Sequence, residues 1–189
     1  PYLRSWLGEA ERVVALMPAR AGVVIWPEGR TLSALGEEDM FPFPDAMFDR
    51  VLIVHGLENA ESGRALMRQV WRVMAPEGRL LLVAPNRTSA WSQLERSPFA
   101  YGRPFTRSQL VNLLHDCMFT PEDWDCALLL PPFKSRRLIG TGKGWERLGR
   151  RLWPRLAGVH IVEATKSLYI QPPPLRARDA KRAYARKPV

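Results

Sequence analysis

The sequence predicts an α/β protein with a mostly parallel sheet, and three observations carry that reading. Val51-Leu52-Ile53-Val54 and the run from Leu80 to Ala84 are continuously apolar, the composition of strands covered on both faces. Between them, Leu66, Val70, Val73 and Met74 recur at helical spacing, with Glu61, Arg64, Arg68 and Arg72 largely on the other side. Pro76-Glu77-Gly78 terminates that helix. Strand, helix, turn and strand then follow within about 35 residues as a βαβ unit, whose crossover is right-handed almost without exception.

The remaining elements follow from shorter signals. Arg12 to Met17 is an apolar run rich in β-branched residues and stopped by Pro18, which suits a buried strand, and Val23 to Trp26 before Pro27 repeats the pattern more weakly. Thr106-Arg107-Ser108-Gln109 reads as a capping box, hydroxyl and amide each satisfying a backbone N–H at a helix start, with Leu110, Leu113, Leu114 and Cys117 as the buried stripe. Trp124 to Leu130 and His160 to Ile170 read as two late strands. No long crossover separates the last of them from the chain end, so it is expected to run antiparallel to its neighbours.

With 189 residues, 46% hydrophobic and 25% charged, the chain has the composition of one globular domain. We place that domain at 1–170, with a basic insertion at about 131–158 and a Pro-rich basic tail at 171–189. The net charge of +9 is local: residues 134–155 carry +7 and residues 176–189 carry +5, leaving the rest at −3. Pro172-Pro173-Pro174 cannot continue a sheet strand, and the tail beyond it is too polar to bury a core, so disorder is expected there. Arg176, Arg178, Lys181, Arg182, Arg186 and Lys187 serve solubility or attract nucleic acid or an anionic surface.

Several functions are disfavoured at once. No stretch approaches the ~18 apolar residues of a transmembrane segment, and the start lacks a signal-peptide layout, so a cytoplasmic location is expected. Cys117 and Cys126 have no metal-ligand spacing, and reduced thiols are expected. Gly140 to Gly144 is not a phosphate loop, because Arg137 stands where the first glycine belongs and Gly144 replaces the hydroxyl residue. That segment reads as a basic connection, with a substrate lid as the lesser alternative.

In the order of its motifs the chain resembles the small-molecule, type 11-like branch of the class I S-adenosylmethionine-dependent methyltransferases. Phe41-Pro42-Phe43-Pro44-Asp45 corresponds to the family's Leu-Pro-Phe-Pro-Asp element. It is followed by Phe48-Asp49-Arg50-Val51, His55-Gly56-Leu57-Glu58-Asn59, the helix, Pro76-Glu77-Gly78-Arg79-Leu80 and the strand ending at Pro85-Asn86. The likeness runs from about Val13 to Phe119, with Val162 to Tyr169 as a candidate final strand. It implies a three-layer Rossmann-like fold, with ligand outside the carboxyl ends of the strands. The family's first strand and Gly-x-Gly turn would lie before Pro1, so the chain reads as N-terminally truncated, and the neighbours of that central strand are expected to carry unpaired edges.

The resemblance also implies site residues. Glu37 corresponds to the acid that accepts from the adenine amino group of S-adenosyl-L-methionine, with the backbone of Glu38 beside the ring, although the acidic run also suits a solvated loop. Met17 and Pro18 stand where the family places an acid for the ribose hydroxyls, and Leu57 packs near the cofactor by analogy or is simply core. His55 follows the strand at which donor and acceptor meet, where an imidazole acts as base or positions the acceptor, or caps the strand end structurally. Tyr101, Arg103 and Phe105 follow the next strand as a candidate acceptor wall, or an aromatic-packed loop. Two functions are expected: methyl transfer to an unidentified small-molecule or macromolecular acceptor, or an inactive member of the fold binding nucleic acid or a partner through its basic segments.

Overall fold

A computed structural model of the chain describes residues 6, 10–18, 32–36, 40–89, 92, 102–128 and 157–169. Six strands form one sheet: β1 (Val13–Pro18), β2 (Ser33–Gly36), β3 (Phe48–Val54), β4 (Met74–Pro85), β5 (Phe119–Ala127) and β6 (Val159–Lys166). Helix α1 (Gly63–Val73) lies between β3 and β4, and α2 (Arg107–Asp116) precedes β5. The spatial order is β2-β1-β3-β4-β6-β5. The first four strands in this order are parallel, and β6 runs antiparallel to both β4 and β5.

The apolar runs are continuous because both faces of the sheet are covered. Val14, Leu16, Val51, Ile53, Leu80 and Leu82 face one core with Leu66, Met67 and Val70 of α1 and Leu110 and Leu114 of α2. The alternate residues Ala15, Leu52 and Leu81 face the other side, against Trp6. The period of two along each strand thus assigns neighbours to opposite layers. Both helices start on side-chain caps: Ser62 Oγ accepts from Ala65 N, and Thr106 with Gln109 forms the expected capping box.

The Phe-Pro-Phe-Pro-Asp element is held by one side chain. Arg72, in the last turn of α1, donates to the carbonyls of Phe41 and Phe43 at 2.9 and 2.8 Å and to Asp45 Oδ1 at 2.7 Å. Phe43 stacks edge-on against Phe48, with 5.1 Å between centroids, so the loop from β2 enters β3 at a set position.

Three expectations shift. The helix expected through Ala75 ends at Val73, and β4 begins at Met74, pairing with Phe48 before an irregularity leads to the Arg50–Arg79 pair. The late strands both move toward the N-terminus: the first begins at Phe119, which is buried in the core, and the second ends at Lys166, beyond which Leu168 and Tyr169 are exposed. Apolar composition had extended them past the reach of their partners. Finally, β1 pairs directly with β3, Val13 opposite Arg50 and Leu16 opposite Ile53, so no unpaired edge separates these two strands. The weaker run at Val23 to Trp26, most of the basic insertion and the whole tail lie outside the described residues.

Among the described residues no helix is long and apolar enough to cross a membrane, and no cluster of three or more metal-ligating side chains occurs. Cys117 and Cys126 form no disulfide, and burial pushes the Cys117 thiol pKa up.

Candidate functional site

The carboxyl ends of the parallel strands bring together the residues that can do chemistry. His55 follows β3 directly in the left-handed backbone region, at φ 54°, and its amide donates to the Val83 carbonyl of β4 at 3.0 Å. A non-glycine residue pays strain for that conformation. It reverses the chain at once into a 3-10 turn, Leu57–Asn59, whose first residue is core.

That turn places Glu58 beneath the imidazole. His55 Nδ1 lies 2.8 Å from Glu58 Oε1, with the histidine side chain 38% exposed and the glutamate 4% exposed. Glu58 Oε2 is buried without a hydrogen-bond partner among the described residues. A buried carboxylate against Nδ1 fixes the imidazole plane and favours the Nδ1–H tautomer, which puts the lone pair on Nε2. Glu58 was absent from the residues singled out in the sequence. Its signal was the three-residue spacing from His55, which a 3-10 turn converts into contact.

A second segment locks onto the same turn. Gly102 has φ 88°, and a Cβ there would stand 2.6 Å from the Glu58 carbonyl oxygen, so only glycine passes this close. Arg103 N then donates to that carbonyl at 2.8 Å. Phe105 forms a parallel bridge with Asn86, its amide donating to Pro85 O at 3.0 Å and its carbonyl accepting from Arg87 N at 3.1 Å. Asn86 is itself anchored, with Nδ2 donating to Ala157 O and Oδ1 accepting from Thr88. Arg87, Arg103 and Phe105 therefore stand on segments tied to one another.

These segments enclose a cavity of about 650 Å³ bounded by the 3-10 turn, the start of α1 and the Gly102–Phe105 strand-like piece. Leu57, Arg103 and Phe105, three of the sequence candidates, line it. Met17 lies elsewhere, half-buried at the end of β1 beside a cavity of about 10 Å³ that it shares with Gly36, Phe41, Ile53 and Gly56. Gly56 lines this smaller space and its neighbour Leu57 the larger one. Glu37, Glu38 and Tyr101 lie outside the described residues.

At the far side of this edge, His160 packs edge-on against Trp124 with 6.2 Å between centroids, and its Nε2 is buried without a partner among the described residues. Burial first, and the Arg107 guanidinium second, push its pKa below the ordinary histidine range.

Comparison with known proteins follows the same outline. A methyltransferase domain family model matches residues 21–82, the segment containing His55 and Glu58. A demethylmenaquinone methyltransferase of Listeria welshimeri is 34% identical over 65 residues, 33% of this chain and 28% of that protein. The match therefore spans well under half of that curated relative. Crystal structures of S-adenosylmethionine-dependent methyltransferases from Methanosarcina mazei and Mesorhizobium loti superpose with TM-scores of 0.55 and 0.56 at 15% and 16% identity. They cover 89% and 88% of this chain, and 98% and 96% of theirs. The chain therefore has the fold of these S-adenosylmethionine-dependent methyltransferases, and residues 21–82 resemble the methyltransferase domain family.

In chemistry, though not in room, the described residues suit part of S-adenosylmethionine, the cofactor in those neighbours' names. The lining of the smaller cavity, Leu16, Met17, Phe41, Ile53 and Leu66 with two glycines, suits the faces of an adenine ring and a thioether, and offers no carboxylate to a ribose. At about 10 Å³ it admits no ring as it stands. Phe41 closes it: its ring lies so near Gly36 that a Cβ there would meet it at 2.6 Å.

Proposed function

We propose that the chain carries out methyl transfer from S-adenosylmethionine to an acceptor with an ionisable group, with His55 as the base and Glu58 as the residue that positions it. The observation that carries this reading is the 2.8 Å His55–Glu58 contact at the carboxyl end of β3, inside the segment matched by the family model. When bound, S-adenosylmethionine supplies a methyl group on a sulfonium, already activated for displacement.

The protein's part is orientation and a proton acceptor. Met17, Phe41, Ile53 and Gly56 would hold the adenosyl portion, with Phe41 turned away from Gly36. Glu37 and Glu38 are proposed for the adenine edge, as the family resemblance implies. Leu57, Arg103 and Phe105 would hold the acceptor against the turn, and Tyr101 is proposed for the same wall. His55 Nε2 takes the proton that the acceptor loses, and Glu58 balances the resulting imidazolium in a site where its own charge is already buried. The named activity of the Listeria relative makes a hydroxylated naphthalene ring a reasonable first acceptor to try.

The test combines calorimetric titration with S-adenosylhomocysteine and an assay of its release from S-adenosylmethionine. Wild-type chain is expected to bind the product saturably, and His55→Asn and Glu58→Gln to keep that binding while losing transfer. Full transfer by His55→Asn overturns the base assignment, and absence of any saturable binding overturns the methyl-transfer reading.

A further inference from the structure

The 650 Å³ cavity has a division of character that the methyl-transfer reading does not by itself require. Leu57, Phe105 and Leu113 make an apolar floor, while Arg87 and Arg103 stand at the rim. Arg64, the third guanidinium in the lining, is met by Asp116 at 2.5 Å. Arg87 and Arg103 have no carboxylate partner among the described residues, and the guanidinium of Arg103 reaches only the Glu61 carbonyl at 3.4 Å. Glu61 supplies the one carboxylate of the lining.

The start of α1 adds to this field. Gly63 and Arg64 line the cavity, their amides belong to the first turn that a helix leaves unsatisfied, and no acidic residue occupies that turn. The Ser62 hydroxyl accepts from Ala65 N and the Ser62 carbonyl from Leu66 N, so the cap sets where this turn begins. Arg87 and Arg103 are held at the level of the backbone by the Phe105 bridge and the Glu58 carbonyl. Two planar guanidinium forks on tied segments, above an apolar floor, match an oxyanion on an apolar frame.

We infer that this cavity takes an acceptor of that class, an aromatic or aliphatic acid whose oxyanion sits between Arg87 and Arg103 while its apolar body lies on Leu57, Phe105 and Leu113. This rests on the reading of the site as a methyl-transfer centre. The acid group anchors the acceptor at the rim, with its apolar body on the floor. Cationic acceptors are repelled by the same charges.

The probes are 3-hydroxy-2-naphthoate and 2-naphthol, which share a ring and a hydroxyl and differ in the carboxylate. Titration of the chain, followed by probe fluorescence, is expected to show the naphthoate binding at least about tenfold tighter, with the advantage shrinking as salt is raised. Arg87→Gln and Arg103→Gln each reduce the advantage, and Arg103→Lys keeps part of it, which separates lost charge from a disturbed fold. Equal affinity for both probes overturns the inference, as does an advantage that survives both Gln substitutions together. A parallel titration with S-adenosylhomocysteine separates the two readings. Product binding without acid preference removes only the oxyanion site, whereas acid preference without product binding supports the oxyanion site and removes the methyl-transfer reading.

Discussion

The two ends of the sheet treat charge in opposite ways. At the amino end each cation has a partner at hand: Arg12 holds Asp49, with Nε 3.0 Å from Oδ2; Arg72 holds the Phe41 and Phe43 carbonyls and Asp45; and Lys166, 8% exposed, donates to Met74 O at 2.6 Å beneath the Trp71 ring. At the carboxyl end Arg87 and Arg103 meet no described carboxylate, Glu58 Oε2 and His160 Nε2 are buried without partners among the described residues, and His55 sits at positive φ. An unpaired buried polar group costs free energy, and such groups are not confined to the carboxyl end, since Trp6 Nε1 beside Arg50 is another among the described residues. What differs is charge: the cations named at the amino end are paired, whereas Arg87 and Arg103 at the carboxyl end border the proposed ligand site.

The comparison breaks most visibly at the dyad. His55→Asn should lower turnover by about 10²–10⁴-fold, measured as S-adenosylhomocysteine release, and leave the melting temperature nearly unchanged. Glu58→Gln should follow it with a smaller loss of turnover, since the amide still contacts Nδ1 but no longer balances an imidazolium. The matching change at the amino end is Arg72→Ala. It strips two carbonyls of their donor and should cost ~1–3 kcal/mol in chemical denaturation; because Phe41 belongs to the proposed donor site, turnover of the folded protein should fall too, by much less than in His55→Asn. If Arg72→Ala abolished turnover in fully folded protein, the division between the two ends would be wrong.

A finer test uses pH. The folded-state pKa of His160 is lowered, so between that value and the unfolded value of 6.5 the unfolded chain binds more protons, and stability falls as pH drops through that window. His160→Phe, which keeps the ring against Trp124, should flatten the decline of melting temperature below about pH 6.5 and change little above it. The smallest effect belongs to the exposed Arg12–Asp49 pair. Asp49 is held below the usual carboxylate range chiefly by its hydrogen bond from Arg12, so the pair's contribution is present above the ordinary carboxylate pKa and lost as pH falls through the lowered one. With both side chains largely in water, Asp49→Asn should shift the melting temperature barely above error at neutral pH, and less still in high salt.

How much of this was readable beforehand depended on how local the physics was. The strands at Val13, Val51 and Leu80 and the helix carrying Leu66 and Val70 follow from periodicity, because burial on both faces or on one stripe is written into neighbouring residues. The capping box at Thr106 is local chemistry and formed as expected. The antiparallel last strand was expected because no long crossover follows it, and β6 does run antiparallel to β4 and β5. His55 was legible as a residue just past a strand, and Arg103 and Phe105 as residues after the next one. Glu58 was not, since a glutamate in a polar-looking turn reads as solvated until the turn is folded under the imidazole.

By itself, then, the amino-acid order determined that β1, β3, β4 and the two helices form and which of their faces are apolar, because those properties depend on spacing within one segment; it did not show the short strand β2 at Ser33–Gly36 or the bounds of the two late strands. Only the tertiary structure decided that β1 lies directly against β3, that Phe41 closes over Gly36, and that Gly102 lets Arg103 dock on the Glu58 carbonyl. Those outcomes depend on close approach between residues far apart in the chain, where a contact of a few ångströms is set by the packing of everything between them.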